Sequence, residues 1–234
     1  MTHVYFMPGM AANPSIFEYI QLPDDQYTIH WLKWKIPYKN ECMHSYVTRM
    51  LEDVIHPHPV LIGVSFGGVI VQEMAKLIPV KRLILVSTVK SKHELPARMK
   101  MARKTGLYKI LPTSLAGRIG DLENLPVGEF TKKRAHLYKQ YLSVSDKEYL
   151  DWAIEQMVCW DQEEPLKGTI HIHGDKDVVF PIKNIENCII LEGGTHIMII
   201  NRFRWFNKHL PSLIEEGKLA EEKKLLKKIE DEER

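Results

Sequence analysis

Short apolar runs rich in β-branched residues alternate along this chain with segments whose apolar residues recur at helical spacing. The runs predicted as strands are Val4 to Met7, Tyr27 to Trp34, Pro59 to Val64, Arg82 to Val86, Thr169 to His173 and Asn187 to Leu191. The segments predicted as helices are Ser15 to Leu22, with Ser15 as its N-cap, Cys42 to Ile55, Gly68 to Leu77 and Ile197 to Ile214. This alternation favours an α/β fold, in which helices connect mostly parallel strands.

The alternation is interrupted between residues 91 and 165, where helical segments are broken by glycine and proline and no strand is predicted before Thr169. Because the strand pattern resumes afterwards, we interpret residues 91–165 as an insertion in a core formed by residues 1–90 and 166–217. Residues 90–150 contain 13 Lys and Arg against six Asp and Glu. Most of these charges fit a solvated face, and a basic rim that favours anionic substrates is the second interpretation.

Residues 218–234 carry leucines and an isoleucine spaced among many Glu and Lys residues. This pattern is typical of an amphipathic or fraying terminal helix. A solvated helix is the simpler interpretation of this charged tail, and a role in docking or self-association is the alternative.

The composition narrows the classes of partner. The 234 residues suit one domain with an insertion, and an apolar content of 44% with a formal net charge of +2 is ordinary for a soluble globular protein. We therefore expect no nucleic-acid partner. No apolar run is long enough to span a membrane and the first residues do not resemble a secretory signal, so a cytoplasmic location is expected. The three cysteines, Cys42, Cys159 and Cys188, form no paired motif, so neither a disulfide framework nor a zinc site is expected.

The segment Gly63-Val64-Ser65-Phe66-Gly67 places a serine between two glycines at the junction of a predicted strand and a predicted helix. A strand that feeds a helix through GxSxG forms the nucleophile elbow, in which a tight turn exposes the serine hydroxyl. Glycines two residues before and after the serine relieve the crowding of that turn. Ser65 is therefore a candidate nucleophile, although a glycine-rich turn with a solvated serine is the simpler alternative.

A serine nucleophile needs a histidine base, and the base needs an orienting acid. Asp175 and Asp177 follow the strand that ends at His173, and His196 follows the next strand in a loop with two preceding glycines. Both loops lie where the carboxyl ends of parallel strands are expected, which is the edge that carries chemistry in such sheets. The other histidines near these segments fit packing or turn positions, namely His56, His58, His171 and His173.

Together these motifs resemble the α/β-hydrolase fold superfamily, and in particular small serine carboxylesterase-like hydrolases of the kind that includes carrier-protein methyl esterases. The resemblance rests on GVSFGG around Ser65, HGDKDVVFP around Asp177 and GGTH at His196, and it spans residues 3 to about 210 except the insertion. It implies a six-stranded sheet and a helical cap formed by residues 91–165. It also implies a catalytic triad of Ser65, Asp177 and His196, because the family pattern HGxxDxxxP selects Asp177 over Asp175. No metal or cofactor is expected.

The resemblance further implies an oxyanion hole formed by two backbone NH groups. One belongs to Phe66, which follows the nucleophile, and the other belongs to the loop after the first strand. In that loop Pro8 replaces the histidine usual in the family, whereas Gly9 is retained. Met10 is therefore the expected second donor, with Ala11 as the alternative.

The expected activity is hydrolysis of a small carboxylic ester through an acyl-enzyme on Ser65. The same triad also serves thioesterases, amidases, C–C bond hydrolases, acyltransferases and cofactor-free perhydrolases, and selectivity among them depends on the pocket. A non-catalytic small-molecule-binding protein with this fold is the alternative from another class, and an interaction protein is a third. The aromatic residues of the insertion are more readily explained by helix packing than by a pocket, namely Tyr108, Tyr138, Tyr141, Tyr149, Trp152 and Trp160.

Overall fold

The described part of the chain is built around a parallel sheet. The structure, a computed structural model, describes residues 1–110 and 141–219. Its sheet has six strands in the order β2-β1-β3-β4-β5-β6, and every neighbouring pair is parallel. The strands are β1 (Thr2–Met7), β2 (Tyr27–Trp31), β3 (Val60–Val64), β4 (Arg82–Val86), β5 (Ile170–Gly174) and β6 (Ile189–Leu191). The predicted α/β class and six-stranded sheet are confirmed.

Helices cover both faces of this sheet. The α-helices are α1 (Met43–Leu51), α2 (Phe66–Leu77), α3 (Ala97–Thr105), α4 (Lys147–Cys159), α5 (Met198–Asn201) and α6 (Phe203–Glu216). Short 3₁₀ helices occur at Pro14–Phe17, Lys92–Glu94, Leu107–Ile110 and Ile182–Asn184. All five residues of β3 are buried, as expected for a central strand with helices on both faces.

Two apolar cores lie on opposite faces of the sheet because successive strand residues point in opposite directions. Tyr5, Met7 and Leu61 belong to the core on the face of α1, α2 and α4. Val4 and Phe6 belong to the other core, which α6 covers. The carboxyl ends of the strands are thereby held at one edge, from which the loops with the candidate chemistry extend.

The first predicted helix is wrong in type and in its N-cap. Only the 3₁₀ helix Pro14–Phe17 forms there, and Asn13 rather than Ser15 is its N-cap, because the Asn13 side-chain oxygen accepts a hydrogen bond from the Ser15 NH at 2.7 Å. A proline at the first helical position fits this start, since its missing NH is not needed there.

Several other segments differ at their ends from the sequence-based expectation. Helix α1 ends at Leu51, four residues before the predicted end at Ile55, and β6 begins at Ile189, two residues after the predicted start at Asn187. Strand β2 ends at Trp31, three residues before the predicted end at Trp34. The predicted helix from Ile197 to Ile214 is divided into α5 and α6, because Arg202 has φ −117° and ψ 21°, outside the helical region. Each part buries its own apolar face against the sheet.

The described part of the predicted insertion lies between β4 and β5 and contains α3 and α4. Helix α4 buries Tyr149 and Trp152 in the same core as Phe66 of α2. Residues 111–140 of the insertion and residues 220–234 of the predicted charged tail lie outside the described residues. In the part of the chain that the structure describes, no helix is long and apolar enough to cross a membrane.

Candidate active site

Ser65 occupies a sharp turn between β3 and α2. Its φ of 53° and ψ of −124° are sterically unfavourable for a residue with a side chain. The turn is tight enough to exclude side chains nearby: a Cβ on Gly63 would lie 2.4 Å from the Gly67 carbonyl oxygen, and one on Gly67 would lie 2.3 Å from the Pro8 carbonyl oxygen. Both glycines of the motif are therefore required by the space around the elbow.

Neighbouring strands hold the strained Ser65 backbone in place. Its NH donates to the Val86 carbonyl at the end of β4, at 3.0 Å. Its carbonyl accepts a hydrogen bond from the Thr88 hydroxyl at 2.7 Å and one from the Gly68 NH at 2.8 Å. Surroundings that determine the backbone in this way are what allow a strained conformation to persist.

Ser65, His196 and Asp177 form a continuous hydrogen-bonded chain. The His196 Nδ1 is 2.8 Å from the Asp177 Oδ2, and the His196 Nε2 is 3.0 Å from the Ser65 Oγ. When Nδ1–H donates to the carboxylate, Nε2 is left to accept the serine hydroxyl proton. The structure thus brings together the three residues that the sequence motifs selected, in the geometry that proton transfer requires.

Backbone NH groups bind the carboxylate oxygen of Asp177 that is not hydrogen-bonded to His196. Its Oδ1 accepts hydrogen bonds from the NH groups of Val179 and Phe180 at 2.8 and 2.9 Å, and the carboxylate is fully buried. Burial alone would raise the pKa of Asp177. The hydrogen bond and charge of His196 and the Phe180 NH outweigh that effect and lower the pKa of Asp177 below its ordinary value. The carboxylate is therefore ionised at neutral pH.

Asp175, the alternative acid, makes no hydrogen bond to His196. Its side chain is 27% exposed and lies 3.8 Å from the Lys176 ammonium. Its Oδ1 is buried without a partner among the described residues. The geometry therefore favours Asp177 as the partner of His196.

The loops that carry Asp177 and His196 are pressed together at Gly174 and Gly194. A Cβ on Gly174 would lie 2.2 Å from the Gly194 carbonyl oxygen, so only glycine permits this approach. The Lys176 NH donates to the same carbonyl at 2.9 Å. Consequently the end of β5 and the loop after β6 present the acid and the base side by side.

His173 lies beneath the acid and is neutral. It is fully buried, its Nε2 donates to the Phe180 carbonyl at 2.8 Å, and its Nδ1 is 3.1 Å from the His171 Nε2. Burial lowers the pKa of His173 despite the nearby Asp177. His171 and His173 therefore fit the packed, hydrogen-bonded positions expected from their place within a strand.

Two backbone NH groups are candidate donors for an oxyanion hole. Phe66 is the first residue of α2, and NH groups of a first helical turn have no acceptor within the helix. Met10 follows Gly9 in the loop after β1, and Gly9, Met10 and Ser65 border the same cavity. The Ala11 NH, the alternative donor, is engaged with the Tyr149 hydroxyl at 3.4 Å. Met10 is thus the better candidate.

A cavity of about 210 Å³ opens directly beside Ser65 and His196. Its lining among the described residues is mostly apolar and comes from the loop and 3₁₀ helix after β1, the end of β3, residues 141–142 of the insertion and the segment that includes α5. These residues are Gly9, Met10, Ala12, Ile16, Val64, Tyr141, Leu142, Ile197, Ile199 and Ile200. Such a pocket accepts an apolar group next to the hydroxyl.

The sequence did not predict most of the residues that line this cavity, nor the residues that contact the loop after β1. Trp34 donates from its indole Nε1 to the Gly9 carbonyl at 3.0 Å, and the isoleucines of α5 line the cavity. Of the insertion's aromatic residues, Tyr141 lines the cavity, whereas Tyr149, Trp152 and Trp160 are buried in packing positions. Tyr108 bonds Glu155, and Tyr138 lies outside the described residues. Because the sequence predicted Trp34 as the last residue of a strand, no local signal indicated its hydrogen bond to Gly9.

Solved structures share this arrangement of strands and helices. An esterase from Exiguobacterium antarcticum superposes with a TM-score of 0.59 at 18% identity, over 92% of both chains. A bromoperoxidase from Bacillus anthracis gives 0.59 at 16% identity, over 88% of this chain and 89% of that one. The chain has the α/β-hydrolase fold.

A third solved structure with the same fold is a thermophilic esterase from Thermogutta terrifontis. It has a TM-score of 0.56 at 13% identity, over 88% of this chain and 87% of that one. No protein-family model matches the sequence, and no curated protein matches it. Within the α/β-hydrolase fold, Ser65 stands at the position after β3 where a nucleophile elbow is found.

Proposed function

We propose that this chain is a serine hydrolase that cleaves small carboxylic esters. The observation that carries this proposal is the hydrogen-bonded chain from Ser65 through His196 to the ionised Asp177. A buried, correctly oriented carboxylate stabilises the imidazolium that forms when the base takes the serine proton. The presence of esterases among the proteins of the same fold is consistent with this chemistry.

In the first half-reaction, the Ser65 Oγ attacks the ester carbonyl carbon while the His196 Nε2 removes its proton. The negative charge that develops on the carbonyl oxygen is bound by the NH groups of Met10 and Phe66. When the tetrahedral intermediate collapses, His196 gives its proton to the leaving alkoxide. The alcohol departs and the acyl group remains on Ser65.

In the second half-reaction, water takes the place of the alcohol. His196 removes a proton from the water, whose oxygen attacks the acyl carbonyl, and the same two NH groups bind the oxyanion. Collapse of this intermediate releases the carboxylic acid and returns the proton from His196 to the Ser65 oxygen. Asp177 stays ionised throughout and keeps the Nδ1–H directed at itself.

The cavity beside Ser65 supports a substrate with an apolar acyl group. Its mostly apolar lining, including Ile199 and Ile200, offers little to solvate a charged group. The described cavity of about 210 Å³ is small, which suits a short to medium acyl chain.

Turnover of p-nitrophenyl acetate and butyrate tests the proposal. We expect the unmodified protein to hydrolyse both esters and Ser65→Ala to lose about 10³-fold or more in kcat. Ser45→Ala, which changes an exposed serine of α1, is the matched control and should retain full activity. Equal turnover by Ser65→Ala and the control would exclude a serine mechanism.

The same assay compares ester hydrolysis with cleavage of the other acyl bonds that such a triad can attack. Acyl thioesters and anilides with an identical acyl group should be cleaved more slowly than the oxygen ester. Labelling with a fluorophosphonate probe separates an enzyme from a binding protein, because an unactivated serine does not react. An unlabelled Ser65, together with no turnover of any acyl substrate, would favour the binding-protein alternative.

A further inference from the structure

Three histidines from separate parts of the chain meet on the sheet face that carries α1. His3 lies in β1 and His30 in β2. His3 is paired in register with Thr28, and Tyr5 with His30, so the two histidines are diagonal neighbours on one face. His56 lies in the loop between α1 and β3. One ring nitrogen from each histidine lies within 4.8 Å of the other two.

The spacing of the ring nitrogens is close to that of metal ligands. The His3 Nδ1 and the His30 Nε2 are 3.0 Å apart. Two nitrogens bound to a tetrahedral zinc ion at about 2.0–2.1 Å lie about 3.3 Å from each other. The His3 and His56 rings stack at 3.4 Å between centroids, so His56 must turn out of this stack to direct its nitrogen at the same point. Its position in a loop allows that adjustment.

Tyr5 orients the third histidine. Its hydroxyl is 2.6 Å from the His56 Nδ1. When this nitrogen donates its proton to the hydroxyl, the lone pair of His56 is left on Nε2, the atom free to bind a cation. A hydrogen bond from the second ring nitrogen is the usual support for a metal-binding histidine.

The donors of this cluster are three imidazole nitrogens. Neutral imidazoles are ligands for zinc, copper and nickel, whereas carboxylate and carbonyl oxygens suit calcium and magnesium. All three residues are partly buried, so the cluster remains open to an ion from solvent.

We propose that His3, His30 and His56 form a binding site for a late first-row divalent metal ion, of which Zn²⁺ is the representative. Three imidazole nitrogens occupy three positions and water occupies the fourth. The elbow serine follows the carboxyl end of β3, whereas His3 lies near the amino end of β1. The ion therefore ties β1, β2 and the loop before β3 together and takes no part at the elbow.

Spacing along the chain does not reveal this site. His3 and His30 are 27 positions apart, and His56 comes from a segment that resembles a turn. The expectation of no zinc site rested on the cysteines, which lie elsewhere. The pairing of β1 with β2 brings His3 and His30 together, and the loop before β3 adds His56.

Calorimetric titration of the untagged, chelator-treated full chain with Zn²⁺ tests the proposal. We expect saturable binding of one ion per chain at micromolar Zn²⁺ and a higher Tm for the loaded protein. His30→Ala and, independently, His56→Gln should each remove this binding, and Tyr5→Phe should weaken it severalfold. His44→Ala, which changes an exposed histidine of α1, should bind like the unmodified protein. Loading with Co²⁺ should give the intense visible absorption of a four-coordinate ion.

The variants distinguish Zn²⁺ bound by the three histidines from Zn²⁺ bound at Ser65, His196 and Asp177. Loss of binding in His196→Ala, with full retention in folded His30→Ala and His56→Gln, overturns the proposal. So does the absence of any saturable Zn²⁺ binding by the unmodified protein. Circular dichroism of each variant before titration shows whether a variant that no longer binds Zn²⁺ is still folded.

Discussion

The indole NH of Trp34 donates to the carbonyl of Gly9, at 3.0 Å, immediately before the candidate oxyanion donor Met10. The same indole stacks on the ring of Phe66, with centroids 5.4 Å apart and planes 9° from parallel. Trp34 therefore contacts both segments that carry the candidate oxyanion donors, Met10 and Phe66. Because Trp34 does not border the cavity beside Ser65, we expect it to act as a positioning residue for these segments.

Trp34→Phe removes the hydrogen bond to Gly9 but keeps an aromatic ring against Phe66. We expect kcat for ester hydrolysis to fall about 5- to 15-fold with little change in KM, because about 1–1.5 kcal/mol of support for the oxyanion loop is lost. Steady-state kinetics with p-nitrophenyl butyrate measures this. Trp31→Phe, which alters a half-exposed tryptophan packed on Phe17, should leave kcat unchanged. A rise in KM alone would contradict the assigned role.

The two aspartates after β5 provide a matched pair for the acid. Asp177→Asn disrupts the hydrogen bond that sets the tautomer of His196, so we expect kcat to fall about 10³- to 10⁴-fold. Asp175→Asn should retain kcat within a few fold, since this side chain makes no hydrogen bond to His196. Both variants are measured with the same ester, and fluorophosphonate labelling of Ser65 should follow kcat. A larger loss in Asp175→Asn would reverse the assignment.

The central strands could be predicted from the sequence because they are buried on both faces and form continuous apolar runs. Strand β4 begins and ends at the predicted residues, and β3 differs by one residue at its start. The helix predicted from Ser15 failed because Asn13 and Pro14 start a 3₁₀ turn that the apolar spacing does not distinguish from an α-helix. The types and ends of such short elements depend on local hydrogen bonds of this kind.

The residues of the candidate site also differ in how far the sequence predicts them. Ser65 and His196 stand next to glycines whose spacing reflects close backbone approach, so local sequence carries their signal. The choice between Asp175 and Asp177 came from a family pattern, and the hydrogen bonds supply an independent reason. The Ala11 NH bonds the Tyr149 hydroxyl across 138 positions of the chain, and no local pattern predicts such a contact. The lining of the cavity depends on tertiary packing in the same manner.

The cavity predicts how activity varies with acyl length. Each methylene buried in an apolar pocket contributes about 0.8 kcal/mol, which is about fourfold in kcat/KM. We expect kcat/KM to rise from acetate to butyrate with one leaving group. Ile200→Trp narrows the cavity and should lower the butyrate-to-acetate ratio, whereas Ile190→Trp changes an exposed residue of β6 and should not. Equal losses on both esters would show that the acyl chain lies elsewhere.

Glu41 predicts a pH-dependent contribution to stability. Its carboxylate accepts hydrogen bonds from Arg49 at 2.9 and 2.7 Å and from the Tyr38 NH at 2.8 Å. The Arg49 hydrogen bonds lower the pKa of Glu41 despite its burial. A carboxyl group whose pKa is lowered by folding stabilises the protein above the ordinary pKa of about 4.3 and loses that contribution as the pH falls through its folded-state pKa.

Glu41→Gln should therefore lower the free energy of unfolding by about 1–3 kcal/mol at pH 7, because it weakens charge-assisted hydrogen bonds to a buried group. The difference from the unmodified protein should begin to shrink below about pH 4.3, where the carboxyl group of the unfolded chain takes up a proton, and should be smallest once the pH is below the lowered pKa of Glu41 in the folded protein. Urea unfolding followed at several pH values measures both quantities. Glu52→Gln is the control: this exposed residue near Lys35 should change stability by less than about 1 kcal/mol. A Glu41→Gln deficit that stays constant from pH 7 to pH 3 would mean that packing, rather than the charge on Glu41, accounts for the loss.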